Sequence, residues 1–95
     1  MTSKERAFLR SQAAGMPAII NIGKSSLTPE VTEAVAEALE ARELIKLGVL
    51  KNCTDDPKEI AVSLAERTHS QVITVIGKKI VLYKQAKKNP KYPIA

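Results

Sequence analysis

Ninety-five residues, 44% of them apolar, make one small domain with a modest core, and a net charge of +5 favours a polyanionic partner. The single cysteine, Cys53, excludes an intrachain disulfide and a zinc site built on thiolates, and fits a reducing compartment. Met1 is followed by polar residues where a secretory leader would be apolar, and no apolar run approaches the roughly 20 residues of a membrane span. The expectation is a soluble cytoplasmic protein.

The charge is unevenly placed. Residues 1–29 carry Lys4, Arg6, Arg10 and Lys24 against Glu5. Residues 30–66 carry four basic and nine acidic side chains, and residues 67–95 carry seven basic and none acidic. Two basic ends around an acidic middle can be merged by folding into one patch, although a charge run is also what any solvated surface shows.

In chain order, Thr2 or Ser3 can cap a first helix, and with Thr2 as N-cap Glu5 sits at the capping-box position. This helix runs to about Ala14, with Phe8, Leu9, Gln12 and Ala13 inward, Gly15 after its end and Pro17 blocking continuation. Ala18–Ile22 reads as a strand covered on both faces. Gly23-Lys24-Ser25-Ser26 is a turn. Thr28 then caps a helix that opens on Pro29 and runs to about Arg42. Val31, Ala34, Val35, Ala38 and Leu39 form its buried face, and Glu30, Glu33, Glu37 and Glu40 its outer face.

Leu44–Leu50 is a strand with Ile45, Leu47 and Val49 on one side and Lys46 and Gly48 on the other. Asp56-Pro57-Lys58-Glu59 starts a third helix with Ile60, Ala61, Leu64 and Ala65 inward, running to about Arg67. Gln71–Ile76 and Ile80–Tyr83 form a hairpin about Gly77-Lys78. From Gln85 the chain is rich in Lys, Asn and Pro, ends without a core pattern and reads as a mobile basic tail. The fold class is a compact α/β domain of order α-β-α-β-α-β-β, with a mixed four-stranded sheet packed mainly by the second and third helices.

Four kinds of chemistry can be weighed. Gly23-Lys24-Ser25 matches the end of a P-loop, but Ala18 stands where the opening glycine belongs and Ile19-Ile20-Asn21-Ile22 favours a strand over a phosphate cradle. His69 has no patterned partner, Cys53 sits in a polar loop, and capping explains Asp56 and Glu59, so no nucleophile–base pair, catalytic residue or metal site is assembled. The aromatics Phe8, Tyr83 and Tyr92 are too few for a stacking platform. The fourth is backbone capture. A glycine turn followed by a helix N-terminus offers N–H groups to an anion, Lys24 adds charge, and Ser25 and Ser26 add hydroxyl donors.

This turn does not stand alone. It lies among a basic first helix with Phe8-Leu9, the Ile22-Gly23-Lys24 turn leading to Leu27-Thr28, the block from Ala38 through Glu43-Leu44-Ile45-Lys46, and Val75-Ile76-Gly77-Lys78 followed by Ile80-Val81-Leu82-Tyr83. Over residues 3–84 the chain resembles the CRM domain, and in particular the small stand-alone bacterial YhbY-type proteins. The resemblance implies a fold like the C-terminal domain of translation initiation factor three, an RNA-binding domain over residues 1–84 with a basic tail over 85–95, and association with precursors of the large ribosomal subunit. Plant relatives act in organellar intron splicing. The family's RNA-contacting G-x-x-G loop carries over to Gly23–Ser26, with Ser26 replacing the second glycine, a replacement that is strained if the position needs a positive φ.

The sequence therefore predicts an RNA-binding accessory protein, not an enzyme, without a cofactor, monomeric and cytoplasmic. Gly23, Lys24, Ser25 and Ser26 hold rRNA backbone, and Arg6, Arg10, Lys46 and the basic C-terminal segment widen the patch by charge alone. The alternative is a protein-interaction module that docks on a ribosomal protein through the acidic face of the second helix.

Overall fold

A computed structural model describes residues 1–88 and 90–92. The elements are α1 (Ser3–Ala13), β1 (Ile20–Ile22), α2 (Pro29–Arg42), β2 (Leu44–Val49), α3 (Pro57–Thr68), β3 (Gln71–Ile76) and β4 (Lys79–Tyr83). The expected order and the mixed four-stranded sheet are both present. The strands lie in the order β1-β2-β4-β3, with β1 parallel to β2 and the other pairs antiparallel.

The helix starts follow the capping chemistry. Thr2 Oγ1 accepts the Glu5 N–H at 3.1 Å while the Glu5 carboxylate accepts the Thr2 N–H at 2.8 Å, so two N–H groups without helical partners are satisfied reciprocally. Thr28 Oγ1 accepts the Val31 N–H at 3.1 Å. Asp56 differs from expectation: its carboxylate accepts from the Lys58 N–H at 3.0 Å, one position earlier than the box with Glu59 requires. The end of α1 differs too. Ala14 stays in the right-handed helical region and the Met16 N–H reaches the Ala13 carbonyl at 3.0 Å, a tightening of the last turn that makes no use of a left-handed Gly15.

The sheet has helices on both faces. Ile45, Leu47, Val49, Ile80 and Leu82 point to α2 and α3, where Val35, Leu39, Ile60 and Leu64 complete the larger core. Leu44, Ile73, Val81 and Tyr83 point the other way, to Leu9 and Ala13 of α1, in a smaller core. Cys53 is a further residue of the larger core, although its neighbours in sequence are polar. Two stripe residues are corrected: Gln12 and Ala34 are exposed, because each lies just beyond the arc its helix turns to the sheet. Strand β1 is also shorter than expected. It sits at the sheet edge with Asn21 exposed, so only part of Ala18–Ile22 pairs.

Pairing of β3 with β4 slips between Val72 and Thr74, leaving a bulge at Ile73. The hairpin turns at Gly77, whose φ of +56 suits a residue without a side chain. Among the described residues, the segment after β4 forms no helix or strand, but it does contact the folded domain although its composition carries no core pattern. The Lys91 N–H donates to Glu43 Oε1 at 2.7 Å, Lys91 Nζ donates to the Ala41 carbonyl at 2.9 Å, and Tyr92 packs edge-on against Tyr83 with ring centroids 6.1 Å apart. The rest of the expected tail, Asn89 and residues 93–95, lies outside the described residues.

Candidate nucleic-acid interface

One end of the sheet collects the loops that follow β1 and β2 and the tip of the β3–β4 hairpin. The Leu50 N–H donates to the Ile22 carbonyl at 2.8 Å, and the Val49 N–H donates to the Lys78 carbonyl at 2.7 Å. The Gly23–Ser26 turn and the hairpin therefore flank the end of β2, two inter-strand spacings or about 10 Å apart. Lys24, Lys51 and Lys78 are exposed at this end.

The turn itself is closed by a 2.9 Å bond from the Ser26 N–H to the Gly23 carbonyl. Lys24 and Ser25 stand exposed at its tip. Ser26 has a φ of 53, in the left-handed region, where a glycine would be unstrained. Gly23 is not in that region, and a Cβ there would meet Asn52 Oδ1 at 3.5 Å and Leu50 Cδ1 at 3.6 Å, ordinary contacts. Neither backbone geometry nor packing demands glycine at 23, and its absent side chain leaves the backbone approachable.

The helix behind the turn offers less than expected. Pro29 has no N–H, the Val31 N–H is held by Thr28 Oγ1, and the Thr32 N–H goes to the Thr28 carbonyl at 3.0 Å. Glu30 adds an acid in the first turn. The anion-binding capacity of this stretch thus rests in the turn and its lysine more than in the α2 N-terminus.

The remaining candidates separate. Arg6 is directed inward: its Nη1 donates to the Val72 carbonyl and, at 3.2 Å, to the Ile73 carbonyl. It latches α1 to the β3 bulge, where a slipped pairing leaves carbonyls in need of donors, and so it leaves the charge patch. Arg10 and Lys46 are brought together with Lys79 around a groove of about 280 Å³ between the end of α1 and the sheet. Lys46 Nζ donates to the Ala14 carbonyl at 3.4 Å, which holds its ammonium at the α1 C-terminus. Gly48 lets Lys79 lie across β2, since a Cβ there would sit 3.3 Å from Lys79 Nζ and 2.7 Å from Asn21 Oδ1.

The basic C-terminal segment goes elsewhere. Lys84 faces Glu40 at 4.0 Å, and Lys91 lies on the end of α2. That is the length of β2, about 17 Å, from the turn. Folding merges the two basic ends of the chain in part: Arg10 from the first meets Lys79 from the last.

Lys79 was missed by the sequence reading, which began the last strand at Ile80. Its alternation with Val81 and Tyr83 puts it on the face that α1 covers, but only the register Gly48↔Lys79 brings it to Lys46. His69 is exposed and closes α3 in a left-handed conformation. Among the described residues no group of His, Cys, Asp and Glu could hold a metal ion, and no helix is long and apolar enough to cross a membrane.

A three-helix, four-stranded α/β domain with a lysine-bearing glycine turn beside a cationic groove defines a small binding module. The CRS1/YhbY (CRM) domain model matches residues 1–84, and the chain belongs to that family. It is 44% identical over 89 residues to a Bacillus subtilis protein named "Probable RNA-binding protein YqeI", with 94% of this chain and 93% of the relative covered. A Methanocaldococcus jannaschii protein, also named a probable RNA-binding protein, is 31% identical over 94 residues, covering 97% of this chain and 69% of its own length. The solution structure of a Staphylococcus aureus hypothetical protein, described as an RNA-binding candidate, superposes with a TM-score of 0.84 at 39% identity, over 100% of this chain and 99% of that one.

Proposed function

We propose that this chain is an RNA-binding accessory protein of the cytoplasm that acts on rRNA in precursors of the large ribosomal subunit. The observation that carries the reading is the Gly23–Ser26 turn, with Lys24 and Ser25 exposed at its tip and Lys51 and Lys78 exposed at the same end of the sheet. Its relatives' names support RNA as the partner. Phosphate contacts by lysines and main-chain N–H groups position a protein on RNA without reading sequence. Structured rRNA suits such a surface because the contacts follow backbone shape.

Crosslinking in cells followed by sequencing of the attached RNA tests the proposal. The expected result is enrichment of large-subunit rRNA, including its unprocessed ends, over messenger and small-subunit RNA. Crosslinks spread in proportion to RNA abundance would contradict it. One observation favours a second reading, docking on a ribosomal protein: Glu30, Glu33, Glu37 and Glu40 are all exposed along α2. Tight binding to protein-free rRNA would decide for RNA, and binding that requires a ribosomal protein would decide for the second reading.

A further inference from the structure

Helix α1 covers only part of its sheet face. Beyond Leu9 and Ala13 the face is open, and Lys46 of β2, Lys79 of β4 and Thr74 and Ile76 of β3 line the groove there with Arg10 of α1. The buried Ala13 and Val81 form an apolar floor. Ile76, 65% exposed, stands at the rim of the hairpin. Among the described residues no acidic side chain lines the groove, and its volume of about 280 Å³ is just below that of drug-sized ligand clefts.

Charge alone does not explain this shape. Phosphate on a duplex needs cations on an open surface and gains nothing from an apolar floor. A nucleotide turned out of its helix presents both a phosphate and a flat, weakly polar ring. The groove has the matching pair of features, a cationic edge and an apolar base, at the scale of one nucleotide. We infer that it receives a single unpaired nucleotide of the bound RNA, with the phosphate on Lys46, Lys79 and Arg10 and the base laid over Ala13 and Val81 against Ile76. Thr74 supplies a hydroxyl for a base edge. Without an aromatic platform the contact discriminates little among the four bases, so the site selects unpaired structure, not sequence.

The proposal rests on the RNA-binding reading, and the test keeps the two apart. Affinity is measured by fluorescence anisotropy for an RNA hairpin with one bulged nucleotide and for the same hairpin fully paired. The wild-type chain is expected to prefer the bulged RNA by about ten-fold. Lys79→Gln and Ile76→Asp, both at exposed positions, are expected to erase most of that preference while retaining the wild-type melting temperature. Lys24→Glu is expected to weaken both RNAs alike. Equal wild-type affinity for the two hairpins, or a loss in the groove variants that is the same for both, would overturn the groove and leave RNA binding intact. A wild-type chain that binds neither hairpin would overturn both.

Discussion

Among the described residues, three that bear side chains hold a positive φ: Ser26 (53), Glu43 (65) and His69 (55). Ser26 lies in the turn proposed to meet RNA, beside a glycine that the backbone does not require. This contrast gives a test at a single residue. Gly23→Ala fits the neighbouring atoms and has no positive φ to violate, so it is expected to raise unfolding stability by about 0.4–1 kcal/mol through the unfolded chain. If phosphate approaches the Gly23 backbone, the same variant binds RNA several-fold more weakly. Urea denaturation and RNA titration of one sample check both halves, and unchanged RNA affinity would remove Gly23 from the interface. Tyr83, 2% exposed, has a buried hydroxyl without a hydrogen-bond partner among the described residues. Burial first, then the charges of Glu43, Tyr92 and Glu5, raise its pKa above the ordinary 10.0. The phenol is neutral in both states below about pH 10, and above that the unfolded chain ionises first, so stability falls as pH rises. Tyr83→Phe is expected to keep or raise the melting temperature at pH 7 and to lessen its fall between pH 9 and 11. An equal fall in both proteins would show that Tyr83 does not cause it.

Helix α1 has a small apolar anchor, chiefly Leu9 and Ala13, and it is also held by Arg6 at the β3 bulge. Removing a donor from partly buried carbonyls costs more than removing a surface charge. Arg6→Ala is therefore expected to lose about 1.5–3 kcal/mol in urea unfolding, while Lys4→Ala, at an exposed site, changes stability by no more than about 0.5 kcal/mol. Similar values for the two would show that the latch is weak. The elements were legible because their starts are written in local chemistry: Thr2 with Glu5, Thr28 with Pro29, and Asp56 with Pro57 each satisfy N–H groups within a few residues. Facts set by neighbours distant in sequence were not legible. Strand β1 is nearly all apolar yet forms an edge, and Cys53 is core inside a polar run. Arg6 looked like surface charge because no local pattern announces a bulge sixty-seven residues away.

Across the sheet, the α1 groove and the outer face of α2 differ in charge. Arg10, Lys46 and Lys79 line the groove on the α1 face, while the glutamates of α2 stand on the other side of the sheet. The turn was visible in the sequence as a glycine, a lysine and two serines, and Ser26 has the positive φ on which a steric cost there depends. The groove was not visible, because Lys79 meets Lys46 only through the antiparallel register of β2 and β4. The proposed contact with RNA backbone lies at the end of the molecule that bears Lys24. Its most direct measurement is the salt dependence of affinity for protein-free large-subunit rRNA, for the wild-type chain and for Lys24→Glu. Each neutralised phosphate releases counterions, so wild-type affinity is expected to fall steeply on a logarithmic plot, and the variant to bind more weakly with a slope shallower by about one. A variant with wild-type affinity and wild-type slope would contradict the claim.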